Sequence, residues 1–508
     1  MQLNITQKIQ CIALLAGSLL PLAFAPFQWA PLALLSPAFL LWGLQETNSK
    51  SSTLKLGFYY GIGTFGVGVS WIFVSIHTFG QAPILLAGFI TLCFILFLSL
   101  GFLILGFLFQ KCHRFSRKSP FTYLFFPSAW VLLEWLRSSL GTGFPWLLLG
   151  YSQTDTPLGG YAPLGSVYLV SWITCFLGGL LIYGLRLPKQ RRLMGWLTIG
   201  SLFCAIYSIG SVLQQQPWTQ ANDALDYTVS LVQGNLRPDE KFPEPKVGMH
   251  ATLQSYALYF QMTRPLTQSN IVIWPENAVN IPLPEAQPVI DFFTKQAQAR
   301  KQTWVMGIPI ETPDQHYYNS LIAVGTDKQL YHKTHLVPFG EYVPFEKQLR
   351  GLIHFFDLPM SDFIPNASAS KPLTLGKWAV APFICYEIAF ADTVRRASAT
   401  ANVLLNISED GWFGDSFGPH QHLQIARMRS LENGKPLLRA TTSGISAFIN
   451  EKGKITQKTP QFIQTSLTQS VVGFSGQTPW NKIGLWPLMG FCILTVLLQG
   501  IMQYRKNN

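Results

Sequence analysis

The chain has 508 residues, enough for more than one domain, and is 48% hydrophobic but only 12% charged, about half the roughly 25% of an average soluble protein. Its formal charge is +12, yet Gln214 to Trp480 holds 22 basic and 22 acidic residues, so the whole excess lies in the apolar ends. That distribution excludes a nucleic-acid binder, which needs basic residues gathered on a folded surface, and it is the pattern of a membrane protein.

Apolar stretches run over 9–27, 30–45, 56–77, 82–110, 121–140, 162–185, 194–213 and 483–503. A span takes roughly 20 mostly apolar residues, which predicts a polytopic α-helical membrane domain of about eight spans. Lys8, Lys50, Lys55, Lys111, Arg114, Arg117, Lys118, Arg186, Lys189, Arg191, Arg192, Arg505 and Lys506 then all fall on one face, and only Arg137 and Lys482 on the other. By the positive-inside rule both ends are cytoplasmic. The expected organisation is helices over 1–213, an extracytoplasmic domain over 214–480, and a last span with its tail over 481–508. The opening, with Lys8 and "AFA" at 23–25, also reads as a cleavable signal peptide; a retained first span is expected. Glu134 and Arg137, three apart in an apolar stretch, are expected to pair or to meet a lipid headgroup.

The outer domain alternates strand-like runs (227–235, 269–277, 304–310, 319–325, 378–387, 402–408 and 445–450) with helix-like stretches (247–262, 286–301, 389–399 and 419–433). Several runs are continuously apolar, as strands buried on both faces are, and the alternation predicts an α/β layered fold. Glu276 closes "IVIWPE", Cys385 closes "VAPFIC", and Lys333 stands in "LYHKTHLVPFGEYVPF". Strand ends form a rigid rim on which reacting groups converge. Cys385 is the one cysteine of the outer domain, in a compartment where spare thiols oxidise readily. A carboxylate can take a thiol's proton during attack, and an ammonium can stabilise the oxyanion that follows, so these residue types make a complete acyl-transfer set. A Cys–His arrangement using His332, His335, His420 or His422 is the rival. His420 and His422, two apart, do not share a helix face, and no metal site is expected.

"IVIWPENAV" with Glu276, "YHKTHLVPFGEYVP" with Lys333 and Glu341, and "FICYEIAF" with Cys385 resemble the three motifs of the nitrilase superfamily. "NISEDGWFGDSFGPHQHLQIARMRSLENGKPLLRATTSGIS" (406–446), with the apolar stretches, makes the whole chain similar to the apolipoprotein N-acyltransferase family. The resemblance implies an αββα sandwich with Glu276 as general base, Cys385 as nucleophile and Lys333 stabilising the tetrahedral intermediate. It implies supporting roles for Glu341, Tyr386 and Glu387, the Tyr386 amide helping to form an oxyanion hole. Where the family usually shows Lys-Trp this chain has Lys241-Phe242, so an apolar wall at Phe242 is expected rather than an indole.

The implied reaction moves an acyl chain from a phospholipid through a Cys385 thioester to the α-amino group of a diacylglyceryl-cysteine at the start of an apolipoprotein. The implied setting is the bacterial inner membrane, with the catalytic domain periplasmic, the enzyme monomeric, and no cofactor required. The apolar stretch 344–365, with Leu352, Ile353, Phe355 and Phe356, reads as a lid admitting acyl chains or as an amphipathic helix packed on the core. Two other functions use the same features: a membrane-anchored amidase that hydrolyses its thioester, and a transporter or receptor whose outer domain only binds.

Overall fold

The computed structural model describes residues 5–47, 49–113, 120–236, 248–344, 363–367 and 371–507. They divide into two compact units, one of residues 1–73, 83–216 and 483–508, the other of residues 74–82 and 217–482.

The first unit is helical: α1 (Ile5–Leu19), α2 (Leu32–Glu46), α3 (Lys50–Gly68), α4 (Trp71–Val74), α5 (Ile84–His113), α6 (Thr122–Ser139), α7 (Ala162–Leu185), α8 (Lys189–Gln215) and a last helix over Trp486–Asn507. The expected eight full spans are not met. Among the described residues three helices are long and apolar enough to cross a membrane (Ile84–Lys111, Pro157–Leu185 and Lys189–Gln215), or four if α3 with Trp71–Phe79, bent by 51°, is one span. The apolar runs cross points where the backbone turns. The first is cut after Leu19 by a 3-10 turn containing Pro21, and the second starts only at Leu32 and stops at Glu46. α6 carries Pro127, Glu134 and Arg137. Glu134 is buried and accepts hydrogen bonds from Trp130 Nε1 (2.9 Å) and the Leu149 amide (2.7 Å), while Arg137 donates to the Phe144 carbonyl at 3.1 Å and to that of Trp146.

The second unit holds β1 (Gln220–Gln233), β2 (Ile271–Ile273), β3 (Thr303–Glu311), β4 (Tyr317–Gly325), β5 (Gln329–His332), β6 (Leu373–Leu375), β7 (Trp378–Ile384), β8 (Val403–Ser408), β9 (Leu437–Thr441), β10 (Ala447–Ile449), β11 (Ile455–Lys458) and β12 (Thr465–Ser475). They form two six-stranded sheets, ordered β12-β1-β2-β3-β4-β5 and β11-β10-β9-β8-β7-β6. Each has three parallel strands at its centre, β1-β2-β3 and β7-β8-β9, with antiparallel neighbours outside them. The helices are α9 (Gly248–Thr263), α10 (Leu283–Ala299), α11 (Ala391–Ser398) and α12 (Gly418–Asn433).

Strand alternation sorts the side chains into layers. Val229, Leu231, Ile271, Ile273, Val305, Val380, Val403, Leu405 and Ile407 meet in one buried cluster contributed by both sheets. The opposite face of the first sheet (Val272, Trp274, Trp304, Met306) packs with Tyr256 and Tyr259 of α9 and Phe293 of α10. That of the second (Ala381, Phe383, Leu404, Leu437) packs with Val394 of α11 and Leu423 of α12. The domain is a helix–sheet–sheet–helix sandwich, and because both faces of the central strands are covered they read as continuous apolar runs.

Candidate active site

The first cluster grows from the ends of β2, β4 and β5. Directly after β2 the chain turns back against β3, where a Cβ on Gly307 would lie 2.4 Å from the Asn277 amide nitrogen and 2.7 Å from the Glu276 Cα, so only glycine fits beneath Glu276. The Gly307 amide donates to the Pro275 carbonyl and the Val279 amide to the Gly307 carbonyl, which seats the Glu276 turn on a buried strand. Glu276 Oε1 accepts from Asn319 Nδ2 at 2.7 Å and from Lys333 Nζ at 3.4 Å, and its Oε2 from the Glu409 amide at 2.8 Å. Glu341 Oε1 takes Lys333 Nζ at 2.9 Å and the same Asn319 amide at 2.6 Å, and its Oε2 takes the Val337 amide at 2.8 Å. All four side chains are buried. Burial alone would lower the Lys333 pKa, but Glu341 and Glu276 outweigh it and hold the ammonium well above its ordinary value.

Cys385 follows β7 directly, with a φ of 51°, a left-handed conformation uncommon outside glycine that lifts the residue out of the strand. It is partly exposed while packing against the inter-sheet core. Burial pushes the thiol pKa up, the Glu276 carboxylate pushes it further, and Lys333 pulls it back, so the resting form is the thiol. Two residues on, Glu387 is fully buried. Its Oε1 accepts from the Thr334 amide (2.7 Å), Thr334 Oγ1 (2.8 Å) and the His335 amide (3.2 Å), and its Oε2 from Tyr331 Oη and the Ile384 amide (both 2.8 Å). One carboxylate therefore ties the segment carrying Lys333 to the strand end carrying Cys385. Burial raises its pKa against the pull of those donors and of Lys333. The Tyr386 ring packs edge-on to Phe390 at 5.1 Å.

Behind Cys385 lies a second buried cluster. The Cys385 carbonyl accepts from His422 Nε2 at 3.2 Å and Asn406 Nδ2 at 3.3 Å. His422 Nδ1 lies 3.0 Å from both Asp410 Oδ1 and Arg439 Nη2, Arg439 donates to Asp410 Oδ2 at 2.7 Å and to Asn406 Oδ1, and Ser408 Oγ donates to Asp410 Oδ1 at 2.7 Å. A carbonyl can only accept, so Nε2 carries a proton. Burial and Arg439 lower the His422 pKa against the pull of Asp410, and Arg439 with His422 holds the Asp410 carboxyl below its ordinary range although burial alone would raise it. A Cβ on Gly444 would lie 2.5 Å from that of Asp410, so the cluster is packed from above as well.

The structure thus gathers Glu276, Lys333, Glu341, Cys385 and Glu387 at one end of the sheets. Asn319, Asn406, Ser408, Asp410 and Arg439 were not singled out in the sequence, and His422, considered there as a partner for the thiol, sits buried on α12 with its Nε2 against the Cys385 carbonyl. His332 hydrogen-bonds Ser320 at 2.8 Å and His335 packs tilted against Phe390 with ring centroids 3.7 Å apart, while His420 is half-buried. Phe242 and the segment with Leu352, Ile353, Phe355 and Phe356 lie outside the described residues. Among the described residues no group of three or more His, Cys, Asp or Glu could hold a metal ion.

The two-sheet sandwich is a carbon-nitrogen hydrolase domain: residues 212–473 match the family model for carbon-nitrogen hydrolases. Residues 16–180 match the model for the apolipoprotein N-acyltransferase N-terminal domain. The chain belongs to the apolipoprotein N-acyltransferase family. It is 39% identical over 491 residues to the apolipoprotein N-acyltransferase of Azotobacter vinelandii, covering 95% of this chain and 93% of that one. It is 37% identical to that of Coxiella burnetii, covering 96% and 99%. Among solved structures, a carbon-nitrogen hydrolase from Helicobacter pylori G27 is 14% identical with a TM-score of 0.36, covering 52% of this chain and 94% of that one.

Proposed function

We propose that the chain is a membrane acyltransferase that N-acylates apolipoproteins, with Glu276, Lys333 and Cys385 as its catalytic residues. The observation that carries the reading is the buried ammonium of Lys333 shared between Glu276 and Glu341, at the strand ends from which the Cys385 thiol emerges. As Cys385 Sγ attacks the ester carbonyl of a phospholipid, its proton passes to Glu276. The S–C bond forms, and the oxyanion is met by Lys333 and the Tyr386 amide. Collapse breaks the ester C–O bond, Glu276 returns the proton to the departing alkoxide, and a lysophospholipid leaves. The α-amino group of a diacylglyceryl-cysteine then attacks the thioester, Glu276 takes a proton from the nitrogen, the C–S bond breaks as Glu276 passes that proton to the departing Cys385 sulfur, and an amide remains with the thiol restored.

The membrane unit fits this chemistry because extracting acyl chains from a bilayer costs about 0.8 kcal/mol per CH₂. We place 1–213 and 481–508 in the bacterial inner membrane, with the long apolar helices Ile84–Lys111, Pro157–Leu185 and Lys189–Gln215 crossing it. The domain over 214–480 is periplasmic, and the working unit is one chain. Purified enzyme given phospholipid and a synthetic diacylated lipopeptide is expected to yield triacylated lipopeptide and lysophospholipid. Fatty acid released to water without triacylated product would instead mark a hydrolase.

A further inference from the structure

We propose that Asp410, His422, Arg439 and Asn406 are positioning residues for the oxyanion hole: by holding the Cys385 carbonyl they aim the amide of Tyr386. The inference rests on the acyl-transfer reading and adds to it a part that acts only through one peptide group. In a planar trans peptide the carbonyl of one residue and the N–H of the next point in opposite directions. The Cys385 carbonyl is directed into the interior, where His422 Nε2 meets it at 3.2 Å and Asn406 Nδ2 at 3.3 Å. The Tyr386 N–H on the same peptide is therefore turned away from that cluster.

Two further observations make this an arrangement built for aim rather than a chance contact. The Cys385 φ of 51° costs energy for a side-chain-bearing residue, and such a conformation persists only when its surroundings over-determine it. The two donors are themselves fastened by charged groups: Arg439 donates to both Asp410 and Asn406, and Asp410 lies against His422. Asn406, Asp410, His422 and Arg439 are each at most 1% exposed, so none is available to substrate. Asn406 Nδ2 also holds the Phe383 carbonyl at 3.1 Å, extending the same grip along β7.

An oxyanion-hole donor matters when a carbonyl becomes tetrahedral and not when a thiolate displaces a halide, and the two reactions separate this role from general support of the site. Full-length enzyme in detergent is treated with a p-nitrophenyl ester and, in parallel, with iodoacetamide, each rate being normalised to thiols that label at Cys385. Replacing His422→Leu is expected to slow acylation by about 10–100-fold, an oxyanion donor being worth about 10²–10³ when lost outright. Alkylation is expected to stay within about twofold, because it depends on access and on the thiolate fraction. His422→Gln, which keeps an N–H for the carbonyl, should recover most of the ester rate. Asn406→Ser, which removes the other donor, should repeat the split if His422→Leu does not accumulate as folded protein. Equal loss in both reactions, no loss in either, or a Gln variant no faster than the Leu variant would overturn the proposal. Failure of the acyl-enzyme reading shows separately, as wild-type protein that takes up no acyl group at Cys385.

Discussion

Glu387 offers a sharp test of how the site is assembled, because one side chain holds the two segments that carry Lys333 and Cys385. In Glu387→Gln the amide can offer one acceptor oxygen, either to Thr334 and His335 or to Ile384 and Tyr331, and its NH₂ must face the other side. At least one buried backbone N–H then loses its partner, at about 1–3 kcal/mol. The surviving bonds lose their charge-assisted share, and relief of the carboxylate's burial offsets part of the total, leaving a net loss of about 2–3 kcal/mol. For a domain of this size that lowers the unfolding temperature by roughly 5–10 °C. A displacement near 1 Å between Lys333 and the thiol costs about 10²-fold, so the acylation rate should fall by about 10–100-fold. Thermal unfolding in detergent and stopped-flow acylation by a chromogenic ester measure the two effects. A variant that unfolds within 1–2 °C of wild type (the scale of about 0.5 kcal/mol) and acylates at an unchanged rate would refute the claim that Glu387 holds the site together.

Asn319→Leu should also be strongly impaired, because Asn319 Nδ2 donates to Glu276 at 2.7 Å and to Glu341 at 2.6 Å, holding the two carboxylates around Lys333; wild-type acylation rates in that variant would remove it from the site. Asp410 has a folded pKa below its ordinary 3.8, so its stabilising contribution is fully present above that value and is lost as the pH falls through and below it. The stability gap between wild type and Asp410→Asn, measured by denaturant unfolding, should therefore hold above about pH 5 and narrow as the pH falls below about 4, and a constant gap would contradict the ion pairing. A membrane-impermeant maleimide applied to spheroplasts should label Cys385 and spare Cys112, and the opposite pattern would invert the proposed orientation.

The sandwich was legible where strands are buried on both faces. β1, β3, β4, β7 and β8 carry the continuous apolar runs that the sequence exposes, and the four helices fall within a few residues of their expected limits. β5, β6, β11 and β12 were not, because they are short or half-exposed strands toward the sheet edges with polar residues along their length. β9 was hidden by Arg439, a charge foreign to a central strand unless partners such as Asp410 and Asn406 receive it. The membrane unit was read too generously, since apolar composition does not mark the turns at Pro21 and after Gly68. Within the site, Glu276, Lys333, Glu341, Cys385 and Glu387 stood out by chemical type and by motif. Asn319 and Asn406 did not, and His422 was read only as a rival partner for the thiol, because their roles depend on partners between 20 and 45 positions away that only the fold brings together.

The most direct measurement is the mass of the enzyme after incubation with a phospholipid of defined acyl chains and no acceptor. Wild-type protein should gain one acyl mass on the peptide containing Cys385, lose it to neutral hydroxylamine as thioesters do, and pass it to a diacylated lipopeptide when one is added. Cys385→Ser should stay at its unmodified mass and make no triacylated product. Triacylated product from the Cys385→Ser variant, or an acyl group found on another residue of the wild type, would contradict covalent transfer through Cys385.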